Sequence, residues 1–309
     1  MPDIVISEFM DQGAVDSLAA DYDVVYDPQL VDRQDDLLAA VASARALVVR
    51  NRTQVRGELL QAASALRVVG RLGVGLDNID LEACRQRAVA VCPATGANNA
   101  AVAEYVIATA MTLLRDAYAA GSEVIVGTWP RQRCMGREIG GKVLGLIGFG
   151  GIARETAQRA RALGMSVMAH DPFVSGTDDA WNGVARSELD ELLANADVVS
   201  LHLPLTDGTR GLLDTSMLAR MKEGAVLINT ARGGIVDEEA LVKSLRAGHL
   251  AGAALDVFEI EPVTAAAGTR FAGVHNLVLT PHIAGVTQES NIRVSAVTAS
   301  NVRKVLSEE

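Results

Sequence analysis

The chain alternates short apolar runs with segments whose apolar residues recur at helical spacing. A short run of consecutive apolar residues is typical of a strand that is buried on both faces, as in a parallel sheet. Because strands that alternate with helices form parallel sheets with right-handed crossovers, the pattern predicts an α/β fold. In the first predicted domain the strands are residues 4–6, 24–26, 46–49, 66–70 and 89–92.

A second series of strands and helices follows a long apolar helix, which is predicted over residues 100–118. The strands of this series are predicted within residues 143–147, 165–171, 197–204, 225–234, 252–258 and 276–282. A last helix is predicted over residues 287–305. The sequence therefore predicts two open parallel sheets, each in a domain of its own.

A glycine-rich turn joins the first strand of the second series to a helical pattern. The turn reads Gly148-x-Gly150-Gly151-Ile152-Ala153, which is the dinucleotide-binding fingerprint in its expected context of strand, turn and helix. Gly148 permits the tight turn, and Gly150 lets backbone N–H groups approach a pyrophosphate. The start of the helix then presents its positive dipole end to the phosphates.

Asp171 supports this interpretation and indicates the cofactor. It lies 23 residues after Gly148 and ends the next predicted strand, where an acidic residue accepts the ribose hydroxyls of a dinucleotide. A carboxylate repels a 2′-phosphate, and Pro172 and Phe173 offer no cation to bind one, so NAD is favoured over NADP. The alternative is that the glycines form only a tight turn and Asp171 caps a strand end.

Three further polar residues follow later strands of the same predicted sheet: Arg232, Glu261 and His282. Groups at this edge would surround the nicotinamide of a bound dinucleotide. His282 can take a hydroxyl proton as hydride leaves, Glu261 can fix the imidazole tautomer, and Arg232 can bind a carboxylate in a planar fork. Taken singly, His282 could be a packed histidine, Arg232 a loop cap and Glu261 an exposed acid. Together they predict hydride transfer at a carbinol or carbonyl carbon.

Composition limits the classes of function that remain. The 309 residues suggest two domains, and the net charge of −10 argues against a general nucleic-acid or anionic-membrane surface. The cysteines, Cys84, Cys92 and Cys134, form no C-x-x-C pair, which is typical of reduced intracellular thiols. No apolar run reaches the length of about 18 residues that a membrane span needs. We expect a soluble cytoplasmic protein without a metal site.

Two loops of the first predicted domain also follow strands. One is Arg50-Asn51-Arg52, and the other is the glycine-rich segment 70–78, which includes Arg71. Successive backbone N–H groups at Gly73, Val74 and Gly75 could form a nest that binds anions. The alternatives are solvated arginines and glycines that serve only as turn formers.

Several motifs resemble those of the D-isomer-specific 2-hydroxyacid dehydrogenases, a family that includes phosphoglycerate dehydrogenase. They cover nearly the whole chain, and the strongest are Gly73-Val-Gly-Leu-Asp-Asn-Ile-Asp80, Leu144-Gly-Leu-Ile-Gly-Phe-Gly150, His202-Leu-Pro-Leu-Thr206, Asn229-Thr-Ala-Arg-Gly-Gly-Ile-Val-Asp237, Ala254-Leu-Asp-Val-Phe258, Glu261-Pro262 and Thr280-Pro-His-Ile-Ala-Gly285. The chain departs from the family at position 151, where Gly replaces the frequent Arg, and at position 153, where Ala replaces the usual Gly.

The resemblance implies roles for individual residues. Arg232, Glu261 and His282 would be the catalytic triad, and the residues expected to contact the cofactor are Gly148, Gly150, Gly151, Ile152, Asp171, Pro204, Thr230, Ala231, Arg232, Asp256, His282 and Gly285. It also implies a flavodoxin-like substrate-binding domain made of residues 1–98 and 284–309, a Rossmann domain that binds NAD over residues 99–283, an active site in the cleft between them, and a homodimer.

The substrate is expected to be a small anionic 2-hydroxy acid. Arg232 and the amides of Gly73, Val74 and Gly75 suffice for a 2-oxo acid, so Arg50, Arg52 and Arg71 suggest a second anionic group at C3. The resemblance then favours (S)-3-sulfolactate, because sulfur reverses the naming priority of a D-type centre without moving its atoms. The alternatives are D-3-phosphoglycerate, glyoxylate or hydroxypyruvate, the substrate of a formate or phosphite dehydrogenase, or no turnover at all in an NAD-sensing corepressor-like protein.

Overall fold

The computed structural model describes residues 2–308 and shows two compact units. Unit 1 consists of the chain up to Asn98 and from Val286 onward, and unit 2 is Asn99–Gly285. The sequence placed the second boundary between residues 283 and 284, two residues earlier. Within the described residues, no helix combines the length and the apolar character that crossing a membrane requires.

The strands are short, as expected for apolar runs of this length. In chain order they are β1 (Ile4–Ile6), β2 (Val24–Tyr26), β3 (Ala46–Val49), β4 (Val68–Arg71), β5 (Ala90–Pro93), β6 (Val143–Ile147), β7 (Ser166–His170), β8 (Ala185–Arg186), β9 (Val198–Leu201), β10 (Val226–Asn229), β11 (Gly252–Leu255) and β12 (Leu277–Leu279).

Helices separate most of these strands. They are α1 (Gln12–Ala19), α2 (Gln34–Val41), α3 (Gly57–Ala62), α4 (Leu81–Gln86), α5 (Asn99–Arg115), α6 (Gly121–Ile125), α7 (Gly151–Ala162), α8 (Leu189–Asn195), α9 (Thr215–Arg220), α10 (Glu238–Arg246), α11 (Ala265–Gly268) and α12 (Gln288–Ser307).

Both sheets are parallel throughout, which confirms the predicted fold class. In unit 1 the strand order is β2-β1-β3-β4-β5, the order of flavodoxin-like folds. In unit 2 the order is β12-β11-β10-β9-β6-β7-β8. This is the Rossmann order with one strand added at the edge, and its topological switch point lies between β6 and β9.

Apolar residues on both faces of each strand explain these layers. In β1, Ile4 and Ile6 belong to one core cluster of unit 1 and Val5 belongs to the other. Val302 of α12 packs in the first cluster, so the end of the chain covers the same sheet as its beginning. In unit 2, α5 packs against α7, and Val106 is fully buried in their shared cluster.

The structure differs from the sequence prediction mainly at element ends. Helix α5 stops at Arg115 instead of residue 118, because Asp116 adopts a positive φ of 44° that ends the helix. Strand β8 was not predicted, since its two residues, Ala185 and Arg186, are exposed and give no apolar run. Neither difference changes where the strands of the predicted site end.

Candidate active site

The predicted catalytic residues follow strands that end at one edge of the unit 2 sheet. Asn229 at the end of β10 is in register with Leu201 of β9 and Leu255 of β11. Leu255 in turn is in register with Leu279 of β12. Because the strands are parallel and in register, the loops that carry Arg232, Glu261 and His282 all leave the sheet at its carboxyl edge.

His282 and Glu261 form a hydrogen-bonded pair. Nδ1 of His282 lies 2.8 Å from Oε2 of Glu261, and Oε1 of Glu261 accepts the N–H of Phe258 at 2.9 Å. Burial raises the pKa of Glu261, but His282, the Phe258 N–H and the charge of Arg232 outweigh it, so the pKa falls below its ordinary value. Since an ionised carboxylate only accepts, Nδ1 must carry the proton. Nε2 of a neutral His282 is therefore the basic nitrogen.

Asp256 holds the turn on which His282 lies. His282 has a positive φ of 55°, and its N–H donates to the backbone oxygen of Asp256 at 2.9 Å. The Asp256 carboxylate, only 1% exposed, accepts hydrogen bonds from the hydroxyl of Thr280 at 2.6 Å and from the N–H groups of Ile283 and Ala284, both at 2.8 Å. Asp256, which the sequence placed beside the nicotinamide, therefore fixes the turn that carries His282 in this structure.

Tyr105 of α5 extends this network and was missed by the sequence interpretation. Its hydroxyl lies 2.6 Å from Oγ1 of Thr280. Because Thr280 gives its own proton to Asp256, Tyr105 must be the donor, and burial raises the pKa of Tyr105 and so keeps that proton in place. A tyrosine in a mostly apolar helix carries no sequence signal for such a contact.

The Arg232 loop is built by Asn229 and Gly233. The Asn229 side chain is buried, accepts the N–H of Ala231 at 3.0 Å and donates to the oxygen of Arg232 at 3.0 Å. Gly233 packs so closely on the Phe258–Glu259 peptide that an added Cβ would lie 2.7 Å from the Glu259 nitrogen. The Arg232 loop and the loop that leads to Glu261 are thus in direct contact.

The glycine-rich turn has the form that a dinucleotide requires. Gly148 has a positive φ of 88°, and a Cβ there would lie 2.7 Å from the carbonyl carbon of His202. Gly150 caps α7 without any side-chain hydrogen bond, which leaves the first N–H groups of the helix to a ligand. The side chain of Asn99 fills the space beside Gly151, since a Cβ at Gly151 would lie 2.6 Å from its Nδ2 atom.

Two polar side chains near this turn are suited to a cofactor. Asp171 accepts the N–H groups of Phe149 at 2.8 Å and Phe173 at 2.9 Å, one on each oxygen. A carboxylate can accept about four hydrogen bonds, so capacity for two ribose hydroxyls remains. Oγ1 of Thr230 is buried and has no hydrogen-bond partner among the described residues, which fits a polar group of a bound cofactor.

The remaining predicted cofactor residues lie in loops at the same edge. Pro204 follows β9, Ala231 follows β10 and Gly285 follows β12. The oxygen of Pro204 accepts the hydroxyl of Thr209 at 2.7 Å. Near this loop, burial lowers the pKa of His202 to about 4, so this imidazole is neutral at physiological pH. Within residues 2–308, no cluster of His, Cys, Asp and Glu is suited to a metal ion.

In unit 1 a buried carboxylate shapes the first arginine loop. Glu8, which follows β1, is 4% exposed and accepts the N–H groups of Arg50 at 2.9 Å, Thr53 at 3.0 Å and Arg52 at 3.1 Å. Asn78 links this loop to the glycine-rich loop, because its Nδ2 donates to the oxygen of Thr53 at 2.7 Å. The structure thus brings together the two loops that the sequence singled out.

The arginines of unit 1 that the sequence singled out differ in their contacts. Arg50 donates to Asn291 of α12 at 2.8 Å and lies 5.9 Å from the centre of the Phe9 ring, and burial lowers its pKa. Arg52 forms an ion pair with Asp32. Arg50 and Arg52, which were both expected to bind a second anionic group, thus have guanidinium groups with different partners.

Arg71 lies over the glycine-rich loop. Its NH1 atom donates to the oxygen of Leu72 at 2.6 Å, and its Cζ atom would lie 2.9 Å from a Cβ at Gly73. Gly73 has a positive φ of 146° and is buried, whereas Val74 is exposed and Gly75 is half-buried. A glycine at position 73 is thus required both by the backbone conformation and by the guanidinium packed on it.

The chain is similar in sequence to known proteins. The family model of the D-isomer specific 2-hydroxyacid dehydrogenase NAD binding domain matches residues 107–284. The chain is 58% identical over 307 residues to the (S)-sulfolactate dehydrogenase of Chromohalobacter salexigens, with 99% of each chain covered. It is 41% identical to the D-3-phosphoglycerate dehydrogenase of Archaeoglobus fulgidus over 87% of this chain, but spans only 51% of that relative.

A solved structure shows the same fold with ligands. The D-lactate dehydrogenase of Aquifex aeolicus, complexed with NAD and lactic acid, is 28% identical and superposes with a TM-score of 0.83 over 98% of this chain and 95% of that one.

Proposed function

The chain belongs to the D-isomer specific 2-hydroxyacid dehydrogenase family, and we propose that it interconverts (S)-3-sulfolactate and 3-sulfopyruvate. The predicted family, NAD cofactor and oxidoreductase activity are confirmed by the family match and the relatives. The observation that supports this substrate is the 58% identity to a sulfolactate dehydrogenase over 99% of both chains. The phosphoglycerate dehydrogenase relative is less similar and covers less of this chain.

We assign the cofactor contacts to unit 2 on the features of its sheet edge. The first N–H groups of α7, at Gly151 and Ile152, would hold the pyrophosphate, Asp171 the adenosine ribose, and the buried hydroxyl of Thr230 a polar group of the nicotinamide half. When bound, NAD accepts the hydride that leaves the carbinol carbon of the substrate.

His282 is assigned as the general base and acid. Glu261 holds the Nδ1 proton, so Nε2 takes the hydroxyl proton of the hydroxy acid as hydride leaves the same carbon, and returns it in reduction. The imidazolium that forms is stabilised by the Glu261 carboxylate, which its lowered pKa keeps ionised.

Arg232 is assigned to the substrate carboxylate. Its guanidinium has the planar donor geometry that matches a carboxylate, and Asn229 fixes the loop that carries it. The charge of Arg232 also contributes to the lowered pKa of Glu261, so cation and catalytic pair belong to one electrostatic site.

We assign the sulfonate to Arg50 and Arg71 of unit 1, and the amides of Gly73, Val74 and Gly75 to the carboxylate of the substrate. Arg50 is a partly buried cation whose loop is fixed by Glu8 through backbone N–H groups. A bound anion would compensate the burial of this cation. Arg52 is left out of the assignment, because its guanidinium is neutralised by Asp32.

The substrate proposal is tested by measuring NADH oxidation with five 2-oxo acids: 3-sulfopyruvate, 3-phosphohydroxypyruvate, hydroxypyruvate, glyoxylate and pyruvate. We expect the highest kcat/KM with 3-sulfopyruvate. A preference for 3-phosphohydroxypyruvate would make the protein a phosphoglycerate dehydrogenase instead. A kcat/KM for 3-sulfopyruvate no better than for pyruvate or glyoxylate would end the proposal, and no turnover with any acid would favour a corepressor-like role.

The arginine assignment has a matched pair of variants. Arg50→Gln should raise the KM for 3-sulfopyruvate about 10- to 100-fold with a smaller effect on pyruvate, because only the former carries the second anion. Arg52→Gln removes a charge two residues away but leaves the assigned contacts, so its KM should stay near that of the wild type. Equal effects of both variants would contradict the assignment.

We also propose that a second copy of the chain covers the segment 118–135 of unit 2. Several apolar side chains there are exposed, among them Ile125 at 85% and Trp129 at 73%. Proteins that act as monomers seldom expose such groups of large apolar residues. Sedimentation velocity should show a dimer, and Ile125→Asp with Trp129→Ala should shift it to a monomer; a monomeric wild type would refute the proposal.

A cytoplasmic location is part of the proposal. Cys84, Cys92 and Cys134 are free thiols in the structure, as is usual in a reducing compartment. Labelling of the cysteines in protein extracted under acid quench, compared with a fully reduced sample, would test it, since disulfide formation in the cell would contradict a reducing location.

A further inference from the structure

Glu238 is a buried acid that the chemistry above does not use. It belongs to the first turn of α10, where the sequence Asp237-Glu238-Glu239 reads as an ordinary acidic helix start. Glu238 is only 5% exposed, whereas the side chain of its neighbour Glu239 is 75% exposed. Interaction with the helix dipole explains an exposed acid but gives no reason to bury one.

The Glu238 carboxylate joins a closed cluster with Glu259 and Arg270. Its Oε1 accepts the N–H of Glu259 at 2.7 Å, and its Oε2 accepts NH1 of Arg270 at 3.1 Å. In return, the N–H of Glu238 donates to Oε1 of Glu259 at 3.5 Å, and NH1 of Arg270 lies 3.5 Å from Oε2 of Glu259. The start of α10 and residue 259 are therefore joined in both directions.

This cluster is one residue away from the contacts that build the active site. The Phe258–Glu259 peptide, which Glu238 binds through the Glu259 N–H, is the peptide on which Gly233 packs. The N–H of Phe258 donates to Glu261 at 2.9 Å. Glu238 thus fixes the peptide that touches the Arg232 loop, and the N–H that directs Glu261 lies on the residue at the start of that peptide, Phe258.

The Glu238 carboxylate lies among buried and partly buried side chains, which include Phe258, Arg270 and Phe271. Burial raises the pKa of Glu238 and the charge of Glu259 adds to this effect, while the Glu259 N–H and Arg270 oppose it. A buried carboxylate is costly unless it is paired and hydrogen-bonded, and here both conditions are met.

We propose that Glu238, together with Arg270, is a positioning residue that holds the Phe258–Glu261 loop so that Glu261 meets the imidazole of His282. The inference rests on the proposed function, in which that pair transfers the proton. It predicts that loss of the Glu238 contact weakens proton transfer while the binding of NADH, which involves other loops, is kept.

The test compares Glu238→Ala, Glu238→Gln and Glu239→Ala in the full-length protein. Glu238→Ala should lower kcat about 10- to 100-fold, since a small displacement of a catalytic group is enough for such a loss. The Kd for NADH and the substrate KM should change less than about threefold. Glu238→Gln keeps an oxygen that accepts the Glu259 N–H and should recover part of kcat. Glu239→Ala should match the wild type.

The outcomes separate positioning from simple stability and from failure of the catalytic assignment. NADH binding and near-UV circular dichroism establish that each variant is folded. If Glu238→Ala does not fold, Glu238→Gln and Arg270→Gln test the positioning role. Each should lower kcat, and the substrate KM should change less. A folded Glu238→Ala with wild-type kcat, or wild-type kcat in both Gln variants, would overturn the positioning role. A fully active His282→Ala would instead overturn the acid–base assignment on which the inference rests, and no turnover of any 2-oxo acid by the wild type would overturn the proposed function.

Discussion

The two sheet edges use a glutamate in opposite ways. In unit 1, Glu8 follows a strand, and its carboxylate is occupied by three backbone N–H groups of the arginine loop. In unit 2, Glu261 also follows a strand, but only one of its oxygens accepts a backbone N–H, and the other holds His282. The first carboxylate builds a loop, and the second acts on a titratable ring that is still 44% exposed.

The difference shows that a residue's type and its place after a strand do not fix its role. What decides is how many of its lone pairs the backbone has already taken. Asp256 resembles Glu8 in this respect, because its buried carboxylate accepts hydrogen bonds from the 280–284 turn. Asp171 is intermediate, with one backbone N–H on each oxygen and room for further donors.

The largest effect is expected from removing the imidazole that Glu261 contacts. His282→Ala should lower kcat by about 10²- to 10⁴-fold, because the hydroxyl proton loses its acceptor, while NADH binding is kept. His275→Ala, at an exposed imidazole paired with Asp116, is the matched control and should leave kcat unchanged. Stopped-flow measurement of hydride transfer decides, and full activity of His282→Ala would contradict the acid–base assignment.

Asp171 tests the intermediate case. Asp171→Ala should raise the KM for NAD about 10- to 100-fold and weaken the preference over NADP, because the ribose hydroxyls lose a charged acceptor. The rate of hydride transfer at saturating cofactor should change little. Asp178→Ala, which removes an exposed acid from the same region of the chain, is the control. An unchanged ratio of NAD to NADP efficiency would assign Asp171 to the turn alone.

Glu8 and Glu261 should respond to the same substitution in opposite ways. Glu8→Gln should lower the free energy of unfolding by about 1–3 kcal/mol, because an amide cannot accept all three N–H groups and leaves a buried donor unsatisfied. Glu261→Gln should mainly lower kcat. Urea unfolding monitored by circular dichroism, run beside the assay, compares the two. Equal stability losses would remove the distinction between them.

A smaller effect concerns His202, an imidazole held neutral by burial. Its folded pKa of about 4 lies below the ordinary value of about 6.5, so the unfolded chain binds the proton first as the pH falls. The free energy of unfolding should therefore decrease between about pH 6.5 and pH 4, by about 1–3 kcal/mol in all. His202→Gln should flatten this slope in urea titrations, and the exposed His275→Gln should not.

Much of the site was predictable because its signals are local. The turn from Gly148 to Ala153 and the distance to Asp171 follow from the geometry of one βαβ unit. Arg232, Glu261 and His282 could be grouped because parallel strands deliver their ends to one edge. Tyr105 and Glu238 could not be found in this way, since each acts through a contact with a residue distant in sequence.

The sequence by itself determined the α/β class and the two sheets, and it singled out the candidate catalytic residues, because strand periodicity and turn chemistry are properties of short segments. Only the tertiary structure decided which charged groups are already paired. Arg52 was expected to bind a substrate anion together with Arg50, yet it forms an ion pair with Asp32. Glu8 was not singled out, although its carboxylate binds the backbone of the loop that carries both arginines. Pairing depends on the distance between atoms from separate segments, and that distance is set by the packing of the sheet and its helices.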